Sequence, residues 1–149
     1  MAVDVTTELV IAAPIETVAG YATDPSNVPA WYKNITSVEW LSPKPTQVAS
    51  KIAFVAHFMG RTLRYTYEIA ELVPNHRLVM RTAEGPFPME TTYTWQANGN
   101  GTLMTLRNRG EPKGYSRLVA PFMAMMMRRE NRKDLQRLAA VVAADQHRP

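Results

Sequence analysis

Alternation of apolar and polar positions runs through most of the chain, and past Gly114 it gives way to a longer period. Val3 to Ile11 is β-prone and stops at Ala12-Ala13-Pro14, which predicts a first strand. Pro14 suits a helix start, and Ile15, Val18, Ala19 and Ala22 form the apolar side of a short helix. Asp24-Pro25 restarts the chain, so Asn27 to Tyr32 is expected to be a second short helix or a tight turn. Strands then follow one another over Ser37 to Leu41, Gln47 to Phe58, Arg61 to Val73, Arg77 to Thr82, Phe87 to Gln96 and Thr102 to Arg109. Short turns at Met59-Gly60, Pro74-Asn75 and Asn98-Gly99-Asn100-Gly101 make these strands antiparallel.

The last fifth reads as one long helix. Leu118, Phe122, Met126, Leu135, Leu138 and Val142 recur at helical steps and are expected to share one face. Pro121 either kinks this helix or starts its main body, which then runs to about Ala144 and is roughly 36 Å long at 1.5 Å per residue. Four methionines, Met123, Met125, Met126 and Met127, crowd its first half.

Composition narrows the picture. The 149 residues, 46% hydrophobic and 20% charged, fit one soluble domain spanning 1–149. No apolar run is long enough to insert stably in a membrane, and acids rather than bases near the N-terminus speak against export. The absence of cysteine excludes disulfides and thiolate chemistry and fits a cytoplasmic protein. The net charge of +4 raises the question of nucleic acid. Glu130 and Asp134 are interleaved with Arg128, Arg129, Arg132, Lys133 and Arg137, however, so a solvated face with local ion pairs is expected and no nucleic-acid partner. With no HExxH, no histidine–carboxylate cluster and no glycine-rich phosphate loop, neither a metal nor a cofactor is expected.

A curved antiparallel sheet needs one face covered, and the C-terminal helix is the only element long enough to cover it. Several stretches carry a family likeness. APIETVAGYATDPSNVPAWYKNI has an apolar-proline turn opening a helix and an Asp-Pro ahead of a tryptophan, ELVPNHRL a strand-turn-strand, GNGTLMTLRNRG a penultimate hairpin and last strand, and RKDLQRLAAVV a helix end. Together they resemble the START-like superfamily of polyketide cyclases/dehydrases and lipid-transport proteins. The resemblance implies an α+β helix-grip fold: about seven curved antiparallel strands wrapped around a long C-terminal helix, with two short helices after the first strand. It decides little about chemistry, because this scaffold hosts carriers, receptors and enzymes.

A straight helix does not pack flush on a curved sheet, so a cavity of roughly 300–1,000 Å³ is expected between them. Tyr65 and Tyr67 alternate with Arg64, Thr66 and Glu68 and should point inward; Phe54 is a candidate for the same face, although its strand is apolar on both sides. Met89, Thr91, Tyr93 and Trp95 form a second alternating set. Trp31, Tyr32 and Phe87 sit on connections suited to a lip, and Met123 and Met126 suit a pliable wall. The expected ligand-binding residues are therefore Trp31, Phe54, Tyr65, Tyr67, Phe87, Met89, Tyr93, Met123 and Met126.

Catalytic candidates are fewer. His57 is the one histidine within a predicted strand, Glu90 falls among the inward set but on the opposite parity, and Arg81 has the charge to bind a carboxylate or enolate. Glu130, Asn131 and Asp134 lie between the apolar stretches of the last helix, where one of them can cap the pocket. By resemblance, the expected function is binding a hydrophobic small molecule such as a lipid, isoprenoid or polyketide, by a monomer or homodimer. The alternatives are a cyclase/dehydratase using the same cavity, and a protein-docking module with an exposed methionine surface.

Overall fold

The computed structural model describes residues 3–58, 60–111 and 117–146. Met59 of the expected hairpin and Gly114 at the head of the expected helical stretch lie outside them. Seven strands form one antiparallel sheet: β1 (Val3–Ile11), β2 (Ile35–Trp40), β3 (Lys51–Phe58), β4 (Arg61–Val73), β5 (Arg77–Glu84), β6 (Met89–Asn98) and β7 (Gly101–Gly110). Their order across the sheet is β1-β7-β6-β5-β4-β3-β2, so β2 to β7 form a meander and β1 returns to pair with the last strand. Register shifts at Ile35/Ser37, Thr66/Tyr67 and Ile69/Glu71 introduce the irregularities that bend a sheet.

Two short helices follow β1. Helix α1 (Ile15–Ala22) starts behind Pro14, and at its end the Thr23 hydroxyl donates to Ala19 O at 2.8 Å. The Asp24 carboxylate then accepts from Ser26 N–H at 3.0 Å and opens a tight 3-10 turn, Pro25–Asn27, that runs into α2 (Val28–Trp31). The last helix, α3 (Ala120–Gln146), spans 27 residues, roughly 40 Å at 1.5 Å per residue. It packs on β1, α1 and α2. This is the helix-grip arrangement expected from the sequence.

Three expectations change. The third strand begins at Lys51 rather than Gln47, because Ala49 adopts φ 74°, outside the strand region, and Ser50 N–H closes a turn onto Gln47 O at 3.0 Å. Phe87 precedes β6 instead of opening it, and is buried beside Tyr65 with ring centroids 5.9 Å apart. The covered face of α3 is also rotated in its first half. Leu118 is 91% exposed and Phe122 49%, whereas Met123 is buried. Met126 and Leu135 are nine residues apart, about half a turn out of phase at 100° per residue. The buried face in fact continues from Met123 through Asn131 and Asp134 to Leu138 and Val142. Polar residues occupy its middle, and a template built on apolar positions alone slips there.

The main core joins α1, the C-terminal half of α3 and the middle of the sheet, with Ile11, Val18, Trp31, Trp95, Met104, Leu106, Leu135, Leu138 and Val142 all 2% exposed or less. Burying one large apolar side chain of this kind contributes roughly 1.5–3 kcal/mol. Two smaller clusters lie at the other end, Val3, Val5 and Met123 in one and Leu63, Tyr65 and Phe87 in the other. Between these clusters the layers do not close.

Candidate functional site

A cavity of about 140 Å³ lies between the concave face of the sheet and the N-terminal half of α3. Alternation aims the side chains of two pairs of neighbouring strands at it: Phe54 faces Tyr65 across β3 and β4, Thr91 faces Asn108 across β6 and β7, and Met89 faces Gly110. Gly110 makes room for Met89, whose sulfur would collide with any Cβ there. Gly85 similarly lets the Tyr65 ring pass, since a Cβ would sit 2.5 Å from it. The volume is smaller than the expected range because Phe87, Met123 and Met127 project into the space instead of merely bordering it.

Phe54, Tyr65, Tyr67, Phe87, Met89, Tyr93 and Met123 line this cavity. Trp31 and Met126 do not. Trp31 belongs to a docked helix rather than a loose connection, and its fully buried ring packs on Tyr32 and Tyr93 at 4.4 and 5.6 Å between centroids. Met126 sits off the covered face of α3, and Met127, one residue on, takes its place in the wall.

One wall is polar. The Thr91 hydroxyl donates to Asn108 Oδ1 at 2.6 Å, and Asn108 Nδ2 donates to Asn131 Oδ1 at 2.9 Å, all within buried surroundings. Asn131 lies one helical turn before Asp134 on the same buried face of α3, and Tyr67 lines the cavity with Thr91. Thr91 has one proton, and it is given to Asn108. Both bonds therefore run in the same direction, from Thr91 on the sheet to Asn131 on α3.

Asp134 accepts from Lys33 N–H at 3.4 Å and from Arg137 Nη1 at 3.0 Å, while the same Arg137 nitrogen donates to Trp31 O at 3.1 Å. Burial pushes its carboxyl up to about 6, against the pull of these donors. Beside the chain, the hydroxyls of Tyr32 and Tyr93 bond to each other at 2.9 Å. Desolvation raises both phenols, and it pushes Tyr67 up to about 12, so all three stay protonated at neutral pH.

Of the three catalytic candidates, His57 borders the cavity, and Glu90 and Arg81 fall elsewhere. The His57 ring is exposed at the rim, with Nδ1 3.2 Å from the Thr62 hydroxyl and Nε2 3.4 Å from that of Thr36. Its neighbours Ala56 and Phe58 take the inward parity, so His57 meets the cavity only at its edge. Glu90 and Arg81 lie on the outer face and pair at 2.8 Å, with Arg109 3.4 Å from the same carboxylate. Arg81 holds the Glu90 carboxyl below its usual range, which suits a structural ion pair rather than a base. Among the described residues no group of three or more histidine, cysteine or acidic side chains is placed to hold a metal ion, and no helix is long and apolar enough to cross a membrane.

Asn108 is the site residue that sequence reasoning missed. Its signal was present: Thr102, Met104 and Leu106 share its parity, so an amide falls on the buried face of β7.

The architecture is that of a helix-grip protein with a small pocket under the covering helix. The chain belongs to the polyketide cyclase/dehydrase and lipid transport family, whose model matches residues 2–143. Among solved structures it is similar to a protein from Thermus thermophilus, with 25% identity, a TM-score of 0.83, and 95% of this chain and 98% of that one covered. A START superfamily protein from Mycobacterium smegmatis superimposes with a TM-score of 0.78 at 14% identity, over 95% and 97% of the two chains. The Zhui aromatase/cyclase from a Streptomyces species does so with a TM-score of 0.78 at 16% identity, over 94% and 93%. No curated protein sequence matches the chain.

Proposed function

We propose that this chain binds a hydrophobic small molecule in the cavity between sheet and helix. The observation that supports this is the division of the lining. Rings and thioethers make up most of it, and hydrogen-bonding groups are gathered on one wall, as in sites that take an apolar body and orient it by one polar end. The family description, which joins polyketide conversion to lipid transport, is consistent with such a ligand. The test is native mass spectrometry of protein purified from its own host, with extraction of anything bound. A stoichiometric apolar compound, lost in Ala56→Phe where a ring would fill the cavity, is the expected result. Protein that carries nothing, and whose melting temperature no apolar compound raises, would remove this reading.

A second reading is catalytic: the cavity folds a reactive polyketide and a wall group moves a proton, as in a cyclase or dehydratase. Asp134 favours it, being a buried carboxyl in the lining whose pKa lies near neutrality. Under this reading Asp134→Asn abolishes turnover while ligand affinity stays within a few-fold. Equal turnover by both proteins would remove Asp134 from the chemistry, and no turnover by either would leave binding alone.

A further inference from the structure

We infer that the ligand of this site is a neutral molecule whose buried end is a single ring carrying one oxygen, held by the Tyr32–Tyr93 hydroxyl pair. This deepens the binding reading above and rests on it.

Three observations carry the inference. The first is size. A cavity of about 140 Å³ is close to the ~150 Å³ apolar cavity that accommodates benzene. It encloses about one ring; further fused rings or a folded acyl chain would extend past it toward the open side.

The second is charge. The described lining includes two carboxylate residues, Glu130 and Asp134, no lysine or arginine, and one histidine, His57, whose ring is exposed at the rim. Arg137, the nearest guanidinium to Asp134, is already bound to that carboxylate and to Trp31 O. An anionic ligand would lie desolvated beside acidic side chains with no counter-charge, which is strongly unfavourable. Fatty acids and aryl carboxylates are thereby disfavoured.

The third is the supply of protons. Along the polar wall the Thr91 proton is committed to Asn108, which donates in turn to Asn131. Tyr32 and Tyr93 differ. Two hydroxyls share one bond, so one of the two protons remains available. Both residues line the cavity, and burial keeps both phenols protonated. A ligand oxygen that accepts this proton, as a phenol or a ring ketone can, satisfies the pair; a hydrocarbon leaves it unmet. Discrimination is strongest where a buried polar group would otherwise go unpaired.

The test is calorimetric titration at pH 7.5 with phenol, toluene, benzoate and decanoate. Toluene keeps the ring and replaces the hydroxyl with a methyl; benzoate adds a charge to the ring; decanoate replaces the ring with a chain. Phenol is expected to bind one to one, roughly 3- to 10-fold more tightly than toluene, as one net hydrogen bond allows, and more tightly than either anion. The double variant Tyr32→Phe/Tyr93→Phe, checked for folding by circular dichroism, is expected to erase the advantage of phenol over toluene without weakening toluene, whereas either single variant keeps one hydroxyl free to donate. Retention of that advantage in the double variant would overturn the role of the pair. Binding of decanoate or benzoate in preference to phenol would overturn the ligand class while leaving apolar binding intact. Failure of all four probes, together with no native ligand, would remove both readings.

Discussion

The two ends of the layer between sheet and helix are built from the same kinds of side chain and finish differently. At one end, α1 lies between the sheet and the C-terminal half of α3, and Val18, Ala19 and Ala22 fill the gap so closely that Trp95, Met104, Leu135 and Leu138 are 2% exposed or less. At the other end no short helix intervenes. Only the N-terminal half of α3 covers the sheet there, and Met123 and Met127 reach across toward Tyr65 and Phe87 without closing the space. A rod and a curved surface meet along a limited line, so a third element decides which end is solid. Helix α2 stands at the boundary and serves both sides, giving Trp31 to the core and Val28 and Tyr32 to the cavity.

The largest expected effect tests this contrast directly. Leu138→Ala at the solid end is expected to cost about 2–5 kcal/mol in urea unfolding, by lost transfer energy plus an unfilled void. Met127→Ala at the open end is expected to cost about 1 kcal/mol or less, since its half-buried side chain already borders empty space. Equal losses would mean that both ends are packed alike.

The polar wall marks where the two ends join, and breaking it comes next in size. Asn108→Ala strands the Thr91 donor and the Asn131 acceptor in buried surroundings, at an expected cost of about 1–3 kcal/mol. A loss below about 0.3 kcal/mol would show that the chain adds nothing to the fold.

A pH titration of stability separates the wall from the outer face. Burial raises the Asp134 carboxyl from 3.8 to about 6, so the folded chain holds a proton over a range in which the unfolded chain has released it. Stability from this group is thus greatest at low pH and is lost as the pH rises from about 4 through about 6, by on the order of 1–3 kcal/mol. Asp4 and Glu90 act with the opposite sign. Arg107 and Arg81 hold their carboxyls low, so their contribution is present at neutral pH and is lost on acidification. The difference between wild type and Asp134→Asn, measured by denaturant unfolding over about pH 4–7, isolates the buried group, and a flat difference would contradict its placement. The smallest effect is expected at Met125→Ser. This side chain is 57% exposed on the far side of α3, and its replacement should change stability by less than about 0.5 kcal/mol.

Much of this architecture can be read from local pattern. Alternation places Tyr65, Tyr67, Thr91 and Tyr93 on one face of the sheet, because a strand has only two faces and the polar partners of these residues mark the other. Turn chemistry locates the hairpins: Gly60, Asn75 and Gly99 all adopt positive φ, between 58° and 76°. The long helix is likewise evident from its period. Its facing is not. Helical spacing shows that a stripe exists, but Leu118-Phe122-Met126 and Met123-Met127-Asn131 are equally regular stripes, and only packing against β1 and β7 selects the second.

Asn131 and Asp134 are buried because Asn108 and Lys33 N–H, respectively 23 and 101 residues away in the chain, meet their polar atoms. Such partners are invisible to any local window. The volume under the helix has the same origin. The sequence by itself determined which elements form and which strand faces turn inward, since both follow from the conformational preferences and periodicity of neighbouring residues. The tertiary structure alone decided the rotation of α3, the burial of Trp31 and the size of the cavity, because each depends on how a curved sheet, a straight helix and a short third helix share the same space.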